Sequence, residues 1–143
     1  ALFSDEQTRK LWDHSFEVNL ILTLLPDQLD MQLVVINKNK DVPFTFTTAF
    51  HTYFDVKNVK SAVVYGLDGL KYFDRVNTKE GIQEGEFLQF TKETDRTYFN
   101  AKNIIKLIDA ENDKIVKIEK EGLNDIVVWN PFPEKVILKN YLK

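Results

Sequence analysis

Apolar and polar residues alternate with period two along much of this chain. That period marks β-strands, whose successive side chains point to opposite faces. The sharpest case runs from Phe44 to Val56, FTFTTAFHTYFDV. Phe44, Phe46, Thr48 and Phe50 fall on one face, and Thr45, Thr47, Ala49 and His51 on the other. The parity predicts a central strand with Phe46 and Phe50 buried. It also predicts a second face, small and polar, that ends in an imidazole and looks onto an open concave surface. Alternation alone leaves two uses for His51 open: a hydrogen-bonded structural residue near a strand end, or a group lining a cleft.

The same reading orders the rest. Ser4-Asp5-Glu6-Gln7 has the spacing of a capping box, Ser at the cap and Gln three residues on, before a short helix through Leu11. Phe16 to Leu24 and Leu29 to Asn37 alternate as two strands about a turn at Pro26-Asp27. Val59 to Tyr65 is a further strand, and Gly66-Leu67-Asp68-Gly69 a turn. From Lys71 to Gln83 the alternation weakens, with a loop at Asp74 to Asn77. Glu86 to Thr91 reads as a short strand, and the stretch carrying Glu93, Asp95 and Arg96 as irregular up to Asn100. Asn103 to Ile108 and Lys114 to Glu119 form a hairpin, and its lysines from Lys106 to Lys120 read as a solvated face. Ile126 to Trp129 reads as a buried strand ended by Pro131 and Pro133, since proline cannot donate to a ladder. Short strands with turn signals between them predict an all-β sandwich in one domain, residues 1–143.

Composition narrows the function. A net charge of −3, with basic residues scattered and no stripe long enough to track phosphates, argues against a nucleic-acid surface. The absence of cysteine excludes a disulfide scaffold and thiolate chemistry. No apolar run approaches a membrane span, and the residues from Ala1 lack the regions of a signal peptide, so the expectation is a soluble, cytoplasmic protein without membrane partners. The two histidines, His14 and His51, have no Cys or His at ligand spacing, so no metal is expected. No glycine-rich phosphate cradle and no nucleophile elbow is present.

Three stretches together carry more than any one: Ala49-Phe50-His51-Thr52-Tyr53-Phe54, Glu93-Thr94-Asp95-Arg96-Thr97-Tyr98 and Val127-Val128-Trp129-Asn130-Pro131. In this order they resemble the glucose-6-phosphate 1-epimerase family, the hexose-6-phosphate mutarotases. That group includes apospory-associated-protein-C-like members and is related to galactose mutarotase (aldose 1-epimerase). Leu11-Trp12-Asp13-His14-Ser15-Phe16-Glu17 is similar to the family's W-P-H-x-F, with Asp13 where proline is usual, and Gly66-Leu67 to its G-L turn.

The resemblance implies a galactose-mutarotase-like β-sandwich, a supersandwich present here as a partial domain, with a sugar cleft on one sheet. It implies an isomerase that interconverts the α and β anomers of a hexose 6-phosphate by acid–base ring opening, with a small sugar phosphate as its partner and no cofactor or metal needed. His51 matches the catalytic histidine, and imidazole suits an acid at neutral pH because its ordinary pKa is about 6.5. Asp95 matches a residue that contacts sugar hydroxyls; the bland alternative is a loop-ordering carboxylate paired with Arg96. Trp129 is either the floor of the cleft or core, and a strand Trp before a proline is more often core. Arg96 and His14 read as structural. The family's phosphate-binding Arg, its H-G-F-A-R stretch and its V-C-V-E glutamate base have no match among these residues, and Glu134 follows Trp129-Asn130-Pro131 too soon. A non-catalytic carbohydrate-binding or interaction domain on the same fold is the alternative.

Overall fold

Leucines and valines on alternate positions pair across the first long hairpin of the computed structural model, which describes residues 1–132. Strands β1 (Leu2–Phe3), β2 (Phe16–Leu24) and β3 (Leu29–Asn37) form one antiparallel sheet in the order β1-β2-β3. Val18 faces Val35, Leu20 faces Leu33 and Leu22 faces Met31, so both strands turn the same parity to one face. The turn closes with Leu25 N–H donating to Gln28 O at 2.8 Å. These elements belong to a first compact unit, Ala1–Thr52, and the second unit is Tyr53–Lys143.

Helix α1 (Glu6–Leu11) starts one residue later than the spacing predicts. Asp5, not Ser4, is its cap. The Asp5 carboxylate accepts from Gln7 N at 3.0 Å and Thr8 N at 2.8 Å, while the Thr8 hydroxyl accepts from Asp5 N at 2.8 Å. A carboxylate satisfies orphan N–H groups as well as a hydroxyl does and also meets the positive helix end. Ser4 is engaged elsewhere: its hydroxyl accepts from Phe16 N at 3.1 Å, tying β1 to β2.

The predicted central strand is not formed. Phe44 to Val56 carries no strand, and Phe46 and Phe50 are 51% and 37% exposed instead of buried. Alternation records a surface made to be half-buried, but a strand exists only where a neighbour takes its backbone N–H and C=O groups. No strand among the described residues pairs with this segment. Its first residue is anchored within an aromatic nest: the Phe44 ring lies 4.7 Å from Trp12 and 5.2 Å from His14.

The second unit is a sandwich of two antiparallel four-stranded sheets. One has β4 (Ala62–Tyr65), β7 (Phe87–Gln89), β9 (Ile104–Asp109) and β10 (Lys114–Glu119), in the order β10-β9-β4-β7. The other has β5 (Lys71–Asp74), β6 (Lys79–Ile82), β8 (Thr94–Tyr98) and β11 (Ile126–Asn130), in the order β11-β8-β5-β6. Ala62, Val64, Leu88, Ile105 and Leu107 from the first sheet and Tyr98 from the second enter one core, closed by Leu67 and Phe132, with Tyr72, Ile126 and Val128 packed against it. The turn from β4 to β5 needs glycine at Gly66, where φ is +95° and a Cβ would stand 2.9 Å from Ile104 O.

Two elements correct the sequence reading. Lys71 to Ile82 is a regular hairpin, β5–β6, where weak alternation predicts no strand. The stretch through Asp95 is strand β8, not an irregular segment. Both hairpins β5–β6 and β9–β10 turn by one device. Asp74 accepts from Asn77 N and Nδ2 at 3.0 and 2.9 Å, Asp109 accepts from Asn112 Nδ2 at 2.8 Å, and the next residues, Thr78 and Asp113, have φ of 53° and 50°. Asp109 is buried and also accepts from Lys57 N at 2.9 Å; these hydrogen bonds, that of Lys57 first, hold its carboxyl below the usual carboxylate range. Lys120 departs from a solvated face: its ammonium donates to Ala101 O, Leu123 O and Asn124 O at 2.8, 2.6 and 3.3 Å.

Candidate functional site

Strand β8 places consecutive side chains on opposite faces of its sheet, and the two faces differ completely. Thr94 and Tyr98 are buried inward, with Arg96 between them. Asp95 and Thr97 point the other way. On that outer face Asp95 stands directly opposite Trp129 of β11, and Thr97 opposite Val127 of β11 and Phe73 of β5. Trp129 is 43% exposed, which corrects the expectation of a core tryptophan. A strand covered on one face only buries every second residue, so Val128 packs on the core while Trp129 does not. The Tyr53 ring meets Trp129 edge-on, with centroids 6.3 Å apart.

Asp95 is held from the β5 side. Arg75 N–H donates to Asp95 O at 2.8 Å, and Arg75 Nε stands 3.9 Å from Asp95 Oδ1. The same guanidinium donates to Thr97 Oγ1 at 3.4 Å from both Nε and Nη2. The partner of Asp95 is thus Arg75 and not Arg96, its neighbour in sequence, because adjacent residues of a strand face apart.

Arg96 belongs to the inner face. Its Nε lies 3.6 Å from Asp74 Oδ2, its Nη1 donates to Gln83 Oε1 at 3.4 Å, and its guanidinium sits 4.4 Å from the centre of the Tyr72 ring. Tyr98 Oη donates to the same Gln83 oxygen at 2.8 Å. Burial alone would push the Asp74 carboxyl up; the hydrogen bonds from Asn77 and the charge of Arg96 outweigh it and hold the group below its ordinary value. Burial pushes the Tyr98 phenol up. This cluster anchors the β5–β8 pair and leaves the outer carboxylate in a fixed strand.

His51 lies in the first unit, exposed, in the segment whose pattern predicts a strand. Asp95 lies in the second. His14 is half-buried and packed in its own unit: its Nδ1 is 3.3 Å from Asn39 Nδ2 and its ring packs 4.8 Å from Trp12. An open depression of about 360 Å³ is lined there by Trp12, His14, Pro43, Phe44 and Thr45. Glu134 lies outside the described residues. Among the described residues no three His, Asp or Glu side chains gather as a metal-binding group, and no helix is long and apolar enough to cross a membrane.

Sequence reasoning missed Arg75. The signal that finds it is the Asp-Arg dipeptide at 74–75 repeated at 95–96, on strands that run antiparallel.

The sequence matches the family of aldose 1-epimerases over residues 1–143. It is 40% identical over 133 residues to a Cenchrus ciliaris protein named "Putative glucose-6-phosphate 1-epimerase", covering 91% of this chain and 40% of that one. Its identity to the Escherichia coli protein of the same name is 31%, covering 92% of this chain and 43% of that one. The crystal structure of a "putative mutarotase (YeaD)" from Salmonella typhimurium superposes with a TM-score of 0.84 at 28% identity, over 96% of this chain and 44% of that one. The chain therefore has the all-β fold of that mutarotase and spans about two fifths of the length of the relatives it matches.

Proposed function

This chain belongs to the aldose 1-epimerase family, and from that premise we propose that it serves the interconversion of the α and β anomers of a hexose 6-phosphate. His51 is the general acid and Asp95 the residue that receives sugar hydroxyls. The observation that carries the proposal is the outer face of β8. A carboxylate paired with Arg75 lies beside a half-exposed tryptophan that the Tyr53 ring meets edge-on, while the part of His51 rests on its motif. The preference for a phosphorylated hexose rests on the names of the two relatives.

The chemistry asks for a proton delivered and a proton removed. The His51 imidazolium gives its proton to the ring oxygen as the bond from that oxygen to C1 breaks. A base takes the proton of the C1 hydroxyl, and the C1–O bond becomes the aldehyde carbonyl. Rotation about C1–C2 presents the other face of the carbonyl, and the reverse proton movements close the ring. No electrons leave the sugar and no group is lost, so the reaction balances within the substrate. The Asp95 carboxylate accepts hydrogen bonds from neighbouring hydroxyls and keeps the sugar in place while C1 turns.

The test follows anomer interconversion by NMR, starting from one anomer of glucose 6-phosphate. The 143 residues alone are expected to show little activity, since they offer no match for the base. In a longer protein that supplies one, replacing His51 by Ala is expected to lower the enzymatic rate by about 10²- to 10⁴-fold, the usual contribution of a positioned acid. A His51→Ala protein as fast as the parent removes the acid assignment. A longer protein that carries the base and binds the sugar phosphate without accelerating the exchange is a carbohydrate-binding domain on this fold and not an isomerase.

A further inference from the structure

The sheet of the first unit ends on a strand that nothing blunts. Among the described residues β3 pairs with β2 and with no other strand, so the backbone N–H and C=O groups of its far edge have no partner strand there. The strand is nine residues long and pairs with β2 without a bulge. It holds no proline, glycine, lysine or arginine, and its one charge is Asp30. Short length, bulges, prolines and lysines are the usual devices that keep one sheet edge from joining another. The other strands that end a sheet among the described residues, β1, β7, β10, β6 and β11, are two to six residues long. The longest of these, β10, carries Lys114, Lys117 and Glu119.

We propose that a second copy of this chain takes this edge, with β3 lying antiparallel to β3 about a two-fold axis at Leu33. Leu33 is the middle of Leu29–Asn37, so this register is the one that pairs all nine residues. Leu29 meets Asn37, Asp30 meets Ile36, Met31 meets Val35, Gln32 meets Val34, and Leu33 meets itself. A two-fold contact requires a surface that complements itself in this way. Directly opposed residues of antiparallel strands share a face, so side-chain rows continue from one copy into the next. Within one copy Leu22 faces Met31, Leu20 faces Leu33 and Val18 faces Val35. Across the contact the rows become Leu22-Met31-Val35-Val18 and Leu20-Leu33-Leu33-Leu20, apolar at every position. Asp30 meets Ile36 and no second carboxylate. The product is a six-stranded sheet built from two three-stranded ones. A strand of another sequence would find the same backbone groups; the matched rows are what favour a second β3. The inference is independent of the sugar reading.

The chain has no cysteine, so one introduced cysteine is its sole thiol. Under mild oxidation Leu33→Cys is expected to form a covalent dimer, because the axis sets this position opposite itself with Cβ atoms about 4.5–5.5 Å apart. Leu29→Cys alone is expected to stay uncross-linked, since it faces Asn37. Leu29→Cys mixed with Asn37→Cys is expected to cross-link. Light scattering of the parent should give twice the 16.7 kDa of one chain. Leu33→Lys and Leu33→Glu are each expected to be monomeric, because like charges would meet on the axis, and an equal mixture of the two is expected to dimerise. Circular dichroism checks the fold of each variant, and the cysteine series keeps the test open if a charged variant does not fold. A parent of single-chain mass at high micromolar concentration overturns the proposal. Cross-linking as fast in Leu29→Cys alone as in Leu33→Cys overturns it too. So does a longer protein containing these residues in which Leu33→Cys stays uncross-linked, because its own chain then takes the edge.

Discussion

Two Asp-Arg dipeptides cross at β5 and β8, and they make two ion pairs of opposite character. Antiparallel register sets Asp74 opposite Arg96, with Arg75 beside Asp95 one step beyond. Asp74 and Arg96 face the core, with side chains 5% and 18% exposed, backed by Tyr72, Gln83 and Asn77. Asp95 and Arg75 face outward, 28% and 59% exposed, beside Trp129 and Thr97. The same two residue types therefore do different work according to parity alone. The inner pair is desolvated, so losing one partner leaves a charge that water does not reach. The outer pair is hydrated, so it contributes little to folding and is free to exchange partners with a ligand.

Removing the inner cation should have the largest effect on stability. Arg96→Ala leaves the Asp74 carboxylate against the core and takes the guanidinium from the Tyr72 ring. The expected loss is about 3 kcal/mol, at the low end for breaking a buried pair because Asn77 still serves Asp74. Urea denaturation measures it, and a loss under 1 kcal/mol, roughly the level of a surface pair, would erase the distinction between the two faces.

Acid should next separate the pairs. The folded-state pKa of Asp74 is lowered, so its contribution is fully present above the unfolded carboxylate value, about 3.9, and fades as pH falls through the lower folded value. Asp109, lowered by its own hydrogen bonds, acts in the same window and sense. Urea midpoints should hold from pH 7 to 5 and fall below pH 4. Asp74→Asn should flatten part of that fall. An acid limb as steep in Asp74→Asn as in the parent would assign the effect to other carboxylates.

What the sequence made legible depends on how each residue uses its face. The β2–β3 hairpin is readable to the residue because aliphatic side chains repeat on both strands with matched parity. β8 is hidden because its inward positions include Arg96, whose burial depends on a Tyr72 ring and a Gln83 amide supplied from elsewhere in the chain. β6 is hidden because Gly81 stands where an apolar residue would be counted. The Tyr72 ring occupies that space, and a Cβ at Gly81 would lie 2.6 Å from it. The reverse error is Phe44 to Val56, the strongest alternation in the chain and no strand in the structure. Local pattern states that a segment suits a sheet; pairing is a property of two segments. The roles proposed for His51 and Asp95 rest on motifs read from the sequence. Arg75 has only the repeated Asp-Arg dipeptide as a signal, and that gains meaning once the β5–β8 register is known.

The smallest effect on stability should come from the outer pair, and it sharpens the comparison most. Arg75→Ala removes a guanidinium that is mostly in water and stands 3.9 Å from Asp95. Its backbone N–H, which donates to Asp95 O, remains. Folding stability should change by less than about 0.5–1 kcal/mol, the range for exposed pairs. Affinity for glucose 6-phosphate should nonetheless fall, because the Asp95 carboxylate is no longer held from one side and must be ordered by the ligand. Arg75→Lys should restore part of the loss, since an ammonium supplies the charge without the planar fork that also reaches Thr97. Asp95→Asn gives the limiting case, a similarly small change in stability with the larger loss of binding. Calorimetry of sugar binding beside urea denaturation reads both quantities on the same samples. A large stability loss in Arg75→Ala with unchanged affinity would make the outer pair a second structural clamp, and Asp95 would then be a carboxylate that orders the sheet.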